Sequence, residues 1–159
     1  MSLSSVREHL SAAAPDLVII ETENSSATVE LAAQAHRVLP GQIAKTLSLQ
    51  VRDKIFLLVA RGDARLDNKK TKAAFGAKAR MLSREEAETM TGHPVGGVCP
   101  FGLAQPLPVY CDVSLKDFDI VIPAAGATNA AVRIAPDRMA DITNAEWVDV
   151  CQSPGGNTP

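Results

Sequence analysis

The chain has 159 residues, a length that fits one hydrophobic core at the usual ~100–200 residues per domain. Apolar residues make up 46% of it, and the formal net charge is −2. That balance excludes the overall basic footprint of bulk nucleic-acid binding, so any contact with RNA or DNA has to be local. No run approaches the roughly 20 apolar residues of a membrane span, and the N-terminal stretch lacks an apolar segment of signal-peptide type. Three cysteines, Cys99, Cys111 and Cys151, are an odd number without a tight pairing pattern. They fit reduced thiols and a cytoplasmic protein. His9, His36 and His93 are scattered, with no CxxC, HxxxH or HExxH, so no metal site is expected. There is no GxGxxG after the first strand and no GxxxxGK[ST], which removes dinucleotide and P-loop readings and leaves no cofactor to expect.

In chain order, residues 4–14 read as a first helix, with Val6 and Leu10 at spacing four and Pro15 closing it. Residues 17–20 (LVII) read as a short buried strand. A helix follows over SSATVELAAQAHRVL, with Ser25 or Ser26 as N-cap and Val29, Ala32, Ala33 and His36 on one face. IAKTLSLQV and KIFLLVA flank the polar turn Arg52-Asp53 as a hairpin. The second strand is apolar throughout, as a strand covered on both faces is. DNKKTKAAFG reads as a helix stopped by Gly76. SREEAETMTG starts with Ser83 and Glu86 in capping-box spacing and stops at Gly92. After a glycine-rich loop, LPVYCDV and FDIVIPA are strands, and NAAVRIA pairs back through AGATN. Pro136 opens a last short helix. A single domain over residues 1–151 and a flexible tail at 152–159 are expected, the tail from its Pro, Gly and polar composition. Mixed helices and hairpin-joined strands point to the α+β class, with a mixed, mostly antiparallel sheet.

Lys45 breaks the pattern of its strand. Ile43, Lys45, Leu47, Leu49 and Val51 share one side, four of the five apolar, which places an ammonium toward the core. Either it faces an anionic or carbonyl group of a ligand, or it escapes along its stem to water. The loop VGGVCPFGL holds Gly96, Gly97 and Gly102, which permit close approach of main chain to a ligand, and Pro100, which fixes φ. Such a loop either aims successive N–H groups into one concavity, a nest for an oxyanion, or is a plain crossover from helix to strand. Cys99 within it reads as a pocket-lining or packed residue rather than a nucleophile, since a thiol needs a base or a lowered pKa. His36 reads as a satisfied core-edge histidine. The basic run Lys69, Lys70, Lys72, Lys78 and Arg80 is either a solvated helix face or a track for phosphates.

IAKTLSL, GDARLDNKK, TGHPVGGVCPFGL, LPVYCDVSL and AAGATNAAVRIAPDRMADIT, in this order and spacing, resemble the YbaK/prolyl-tRNA-synthetase-associated editing domain over about residues 20–150. The most specific elements are the strand lysine of AKTL and the GxxxP element, Gly96 to Pro100. The resemblance implies a sheet curled into a partly open barrel with flanking helices. It implies a free-standing deacylase that hydrolyses the ester of a wrong amino acid (Ala, Cys, Ser or Thr type) on tRNA, with tRNA(Pro) the first candidate. Lys45 would hold the terminal nucleotide or the substrate carbonyl. The backbone of Gly96, Gly97, Val98 and Cys99 would position water and stabilise the oxyanion, each donor lowering the barrier by about 3–4 kcal/mol. Thr46, Pro100, Phe101, Gly102, Gly126 and Asn129 would contact substrate, with Val98 and Phe101 as an apolar rim. Lys69, Lys70 and Lys72 would meet the tRNA. The implied partners are the aminoacylated acceptor end of tRNA and a synthetase, with no metal and no cofactor. Some members carry a histidine in the segment matching AAGATNAA, where this chain has Thr128 and Asn129. The alternative is a non-catalytic module binding tRNA ends or a synthetase; a third is a small-ester hydrolase or phosphate-binding protein using the same nest.

Overall fold

The structure is a computed structural model that describes residues 2–23 and 27–152. In chain order its elements are α1 (Ser2–Ala13), β1 (Ile20–Glu21), α2 (Val29–His36), β2 (Ile43–Val51), β3 (Lys54–Arg61), α3 (Asn68–Phe75), β4 (Arg80–Met81), α4 (Arg84–Thr91), β5 (Val109–Asp112), β6 (Ile122–Pro123), β7 (Ala130–Ala131), α5 (Pro136–Thr143) and β8 (Glu146–Val148). Short 3₁₀ turns span Pro40–Gln42 and Val113–Asp117.

Local chemistry accounts for the element ends. Ser83 accepts from the N–H of Glu86 and Glu86 returns a bond to Ser83, the capping box its spacing announces. Gly76 and Gly92 close α3 and α4 in the left-handed region, where glycine carries no Cβ penalty. The cap of α2 is Thr28, whose side chain accepts from Leu31; Ser25 and Ser26, the expected caps, lie outside the described residues. The tail from residue 153 onward lies outside them too.

The β2–β3 hairpin runs in register from Ala44 opposite Arg61 to Val51 opposite Lys54. This long antiparallel pair anchors a mixed α+β sheet in the order β4-β2-β3-β5-β8, with β6 pairing β2 as well. β5 lies parallel to β3, and β8 parallel to β5. The sequence reading did not foresee β8, and it gave the segments around β1 and β6 more strand than they have. β6 keeps only Ile122 and Pro123; proline has no N–H to extend a ladder. The return through AGATN survives as single bridges, Val121 with Ile134 and Ala124 with Ala131.

Side-chain alternation splits the core. Leu57 and Val59 of β3 face a cluster with Val6 and Leu10 of α1, Cys99, Phe101, Cys111 and Met139. Phe56, Leu58 and Ala60 face Leu49, Tyr110 and Val150 on the other side. All five of these β3 residues are fully buried, which is why that strand reads as continuously apolar. α2 forms a third cluster by packing Ala33 on Ile43, Ile122 and Ala131. Each such large side chain contributes roughly 1.5–3 kcal/mol of burial free energy. Among the described residues no helix is long and apolar enough to cross a membrane.

Candidate active site

The edge of β2 remote from β3 is shared by two short strands. β6 pairs Ile43 and Ala44, and β4 pairs Leu49 and Gln50 in the opposite sense. Leu82 extends the β4 side by donating its N–H to the Ser48 carbonyl at 2.9 Å. Among the described residues no strand pairs Lys45, Thr46 or Leu47 on this edge. Main-chain groups alternate between edges along an antiparallel pair, so Thr46, two residues from Ser48, turns its N–H and C=O into the gap.

A cavity of about 420 Å³ opens at this gap. Its wall is built from β2 (Ile43 to Ser48), α2 (Val29, Ala32, His36), the turn into α4 (Leu82, Ser83, Arg84), the loop residues Val95, Gly96 and Val98, and the alanines around β7. Lys45 and the glycine loop therefore line one cavity. The Lys45 ammonium donates to the carbonyl of Ala64. Burial pushes its pKa below the ordinary lysine value, and the nearby Cys151 and Asp63 oppose that shift.

The loop owes its path to close packing. Gly96 has φ +89°, and a Cβ there would lie 2.8 Å from the Cβ of Ala27. A Cβ on Gly97 would lie 2.7 Å from the main-chain N of Ala127. The N–H of Gly97 is spent on the Pro94 carbonyl at 2.8 Å, and its carbonyl accepts from Gly126 at 3.1 Å. Gly97 thus ties two loops together and is no free oxyanion donor, a correction to the expected four-residue nest. No main-chain partner is recorded among the described residues for the N–H of Gly96, Val98 or Cys99.

The remaining expected site residues divide clearly. Thr46 lines the cavity. Cys99 is fully buried, with Sγ 3.6 Å from both His93 Nε2 and the Phe101 carbonyl. Burial pushes its thiol up to about 12, so at neutral pH it is not a thiolate. Phe101 sits at 0% exposure in the α1 side of the core, which corrects the expectation that it forms a rim; only Val98 of that pair reaches the cavity. Pro100 and Gly102 line a different hollow, beside His9 and Leu107. Gly126 abuts Ser2, and Asn129 is engaged with Thr22, donating to its carbonyl at 3.0 Å. Lys69, Lys70 and Lys72 lie on α3, outside the cavity lining; Lys70 is paired with Asp149 at 3.0 Å.

Behind the loops, α1 acts as a brace. Ser2 Oγ lies 2.6 Å from His93 Nδ1 and donates to the Gly126 carbonyl. His93 Nε2 meets the Phe101 carbonyl at 2.7 Å, and Ser5 donates to the Gly102 carbonyl at 2.9 Å.

Sequence reasoning missed the α2 and α4 walls. It placed His36 correctly on an apolar face but read it as satisfied. His36 is 8% exposed, lines the cavity, and its Nε2 has no hydrogen-bond partner among the described residues. Among the described residues no group of three or more His, Cys, Asp or Glu is placed to hold a metal ion.

Residues 23–142 match the aminoacyl-tRNA editing domain family. The protein YwhH of Bacillus subtilis (strain 168) is 48% identical over 154 residues, which cover 96% of this chain and 98% of that one. The proline–tRNA ligase of Sulfurihydrogenibium sp. (strain YO3AOP1) is 42% identical over 86 residues, 52% of this chain but 15% of the ligase. A crystal structure described as that of a candidate trans-editing enzyme for prolyl tRNA synthetase superposes with a TM-score of 0.86 at 32% identity, covering 94% of this chain and 96% of its own.

Proposed function

The chain belongs to the aminoacyl-tRNA editing domain family, and from that premise we propose that it is a trans-acting deacylase, hydrolysing the ester between a small, wrongly attached amino acid and the terminal ribose of a tRNA. The observation that carries the reading is that Lys45, Gly96 and Val98 line one cavity at the break in the β2 edge. Prolyl-tRNA is the system named for the relatives, so tRNA(Pro) is the first substrate to try. This chain matches only 15% of that ligase's length, so the ligase's own aminoacylation is not carried over to it.

Water adds to the acyl carbonyl, and the carbonyl oxygen becomes an oxyanion. The N–H groups of Gly96 and Val98, the two residues of the glycine loop that line the cavity without a main-chain partner among the described residues, are the proposed donors to it, and preorganised donors of this kind stabilise the developing charge by about 3–4 kcal/mol each. Collapse breaks the bond to the ribose oxygen, which takes up the proton released by the water, giving free amino acid and intact tRNA. The neighbouring ribose hydroxyl orients the water. The Lys45 ammonium sits beside the entering ester or the terminal phosphate. An aminoacyl ester is already activated, so its hydrolysis makes little demand on a strong side-chain base. Lys69 and Lys72 are proposed phosphate contacts at longer range.

Purified protein is incubated with tRNA(Pro) charged with Ala, Cys, Ser or Thr. Loss of at least one ester well above the uncatalysed rate is expected; no loss on any of them rejects the reading. The second reading, a module that binds charged tRNA without turnover, is favoured by the closed state of Cys99 and the spent N–H of Gly97. Salt-dependent binding without ester loss would be its signature.

A further inference from the structure

Among the described residues two buried side-chain polar atoms lack a hydrogen-bond partner, His36 Nε2 and Thr46 Oγ1. They belong to different elements, α2 and β2, yet both residues line the same cavity. Buried polar atoms in folded proteins are nearly always satisfied, and each exception asks for an explanation. Two other side-chain oxygens at that wall are used locally: Thr28 caps α2 and Ser83 caps α4. The surrounding wall is aliphatic, with Ile43, Val98, Ile122 and Ala131.

We propose that His36 and Thr46 form the specificity element of this site, hydrogen-bonding a hydroxyl on the side chain of the bound aminoacyl group and so selecting seryl or threonyl esters over their aliphatic isosteres. This rests on the deacylase reading above. A hydroxyl both donates and accepts. Threonine Oγ1 can do either, and burial, followed by the charge of Arg133, keeps His36 below its ordinary pKa, so the imidazole is neutral at pH 7 with one donor and one acceptor. Both atoms are closed to solvent in this conformation. The imidazole turns about χ2, a soft torsion, to present Nε2 to the cavity. An aliphatic occupant fills the same volume and leaves both atoms unmet, and unmet buried polar groups are what give a hydrogen-bonding site its discrimination. Size alone separates occupants differing by one methylene only weakly.

The test compares kcat/KM on one tRNA charged with serine against 2-aminobutyrate, and with threonine against valine. Each pair exchanges a hydroxyl for a methyl at nearly constant volume. Wild type is expected to favour the hydroxyl member by at least about tenfold. His36→Leu and Thr46→Val are each expected to pull the ratio toward one, and His36→Gln, which keeps a donor and an acceptor, to restore part of it. Thr46→Val is close to isosteric, so it keeps the test alive if His36→Leu fails to fold. Ester loss with a ratio near one in wild type, or a ratio unmoved in both variants, overturns the hydroxyl selection and leaves the deacylase standing. No ester loss on any of the four overturns both.

Discussion

The N–H of Gly126 donates to the carbonyl of Gly97 over 3.1 Å, so the glycine loop and the turn before β7 are joined as one body. The join admits no side chain: a Cβ on Gly97 would also meet the Gly126 carbonyl carbon at 2.9 Å, and main chain cannot step aside as a side chain can. Gly97→Ala is therefore expected to lower stability by roughly 1–3 kcal/mol, as overpacking does, and to remove most deacylation. A melting curve and an ester-loss assay read both. A variant that melts and hydrolyses like wild type would break the link between this contact and the site.

Lys45→Ala should leave the melting temperature near that of wild type and cut kcat/KM for a charged tRNA by at least about a hundredfold, the scale of losing one strong electrostatic contact to the transition state. The ammonium is bonded to the Ala64 carbonyl and disfavoured by burial, so its removal strands no buried opposite charge. Equal loss of fold and activity would instead make Lys45 a structural residue.

Cys99→Ala tests the thiol. The residue is fully buried and its thiol is pushed up to about 12, so hydrolysis should persist at a substantial fraction of wild type. The lost packing should appear as about 1–3 kcal/mol of stability, within the usual range for a core substitution. Iodoacetamide should label the native protein slowly. A folded but inactive Cys99→Ala would restore the nucleophile.

Acid should loosen the surface ties of two helices. The hydrogen bond from Arg80, then that from the Ser83 main chain, holds Glu86 at about 2 against an ordinary 4.5, and Arg138 holds Asp16 at about 2 against 3.8. Both folded-state values lie below the unfolded ones. The stability they supply is thus complete above pH ~4.5 and is lost as pH falls toward 2. The melting temperature should decline through that window, and Glu86→Gln should flatten part of the decline. A pH profile identical in Glu86→Gln and wild type would refute it.

The legible parts of this molecule were those written locally. The capping box of Ser83 and Glu86, the stops at Gly76 and Gly92, and the Arg52-Asp53 turn each depend on residues a few positions apart, and all are present. Lys45 stands out because strand period two is also local, and Lys45 is among the residues that line the cavity. What escaped was non-local. β8 is three residues long and exists through its parallel pairing with β5, more than thirty positions away. Phe101 lies in a glycine-rich loop that reads as surface, yet α1 folds over it, an arrangement no spacing encodes. His36 was placed on the right face, but whether its Nε2 finds a partner depends on β2 and β7 meeting α2 across the cavity.

The break between β6 and β4 bears on solubility as well as on chemistry. Unpaired strand edges are templates for association with other chains. Among the described residues three stay without a strand partner on this edge, about 10 Å of backbone at 3.3 Å per residue. That is too short to recruit a foreign strand and long enough for a ligand the size of an amino acid. By sealing both ends of one edge with two-residue strands of opposite direction, the fold can keep polar backbone open to a visitor without inviting fibrils.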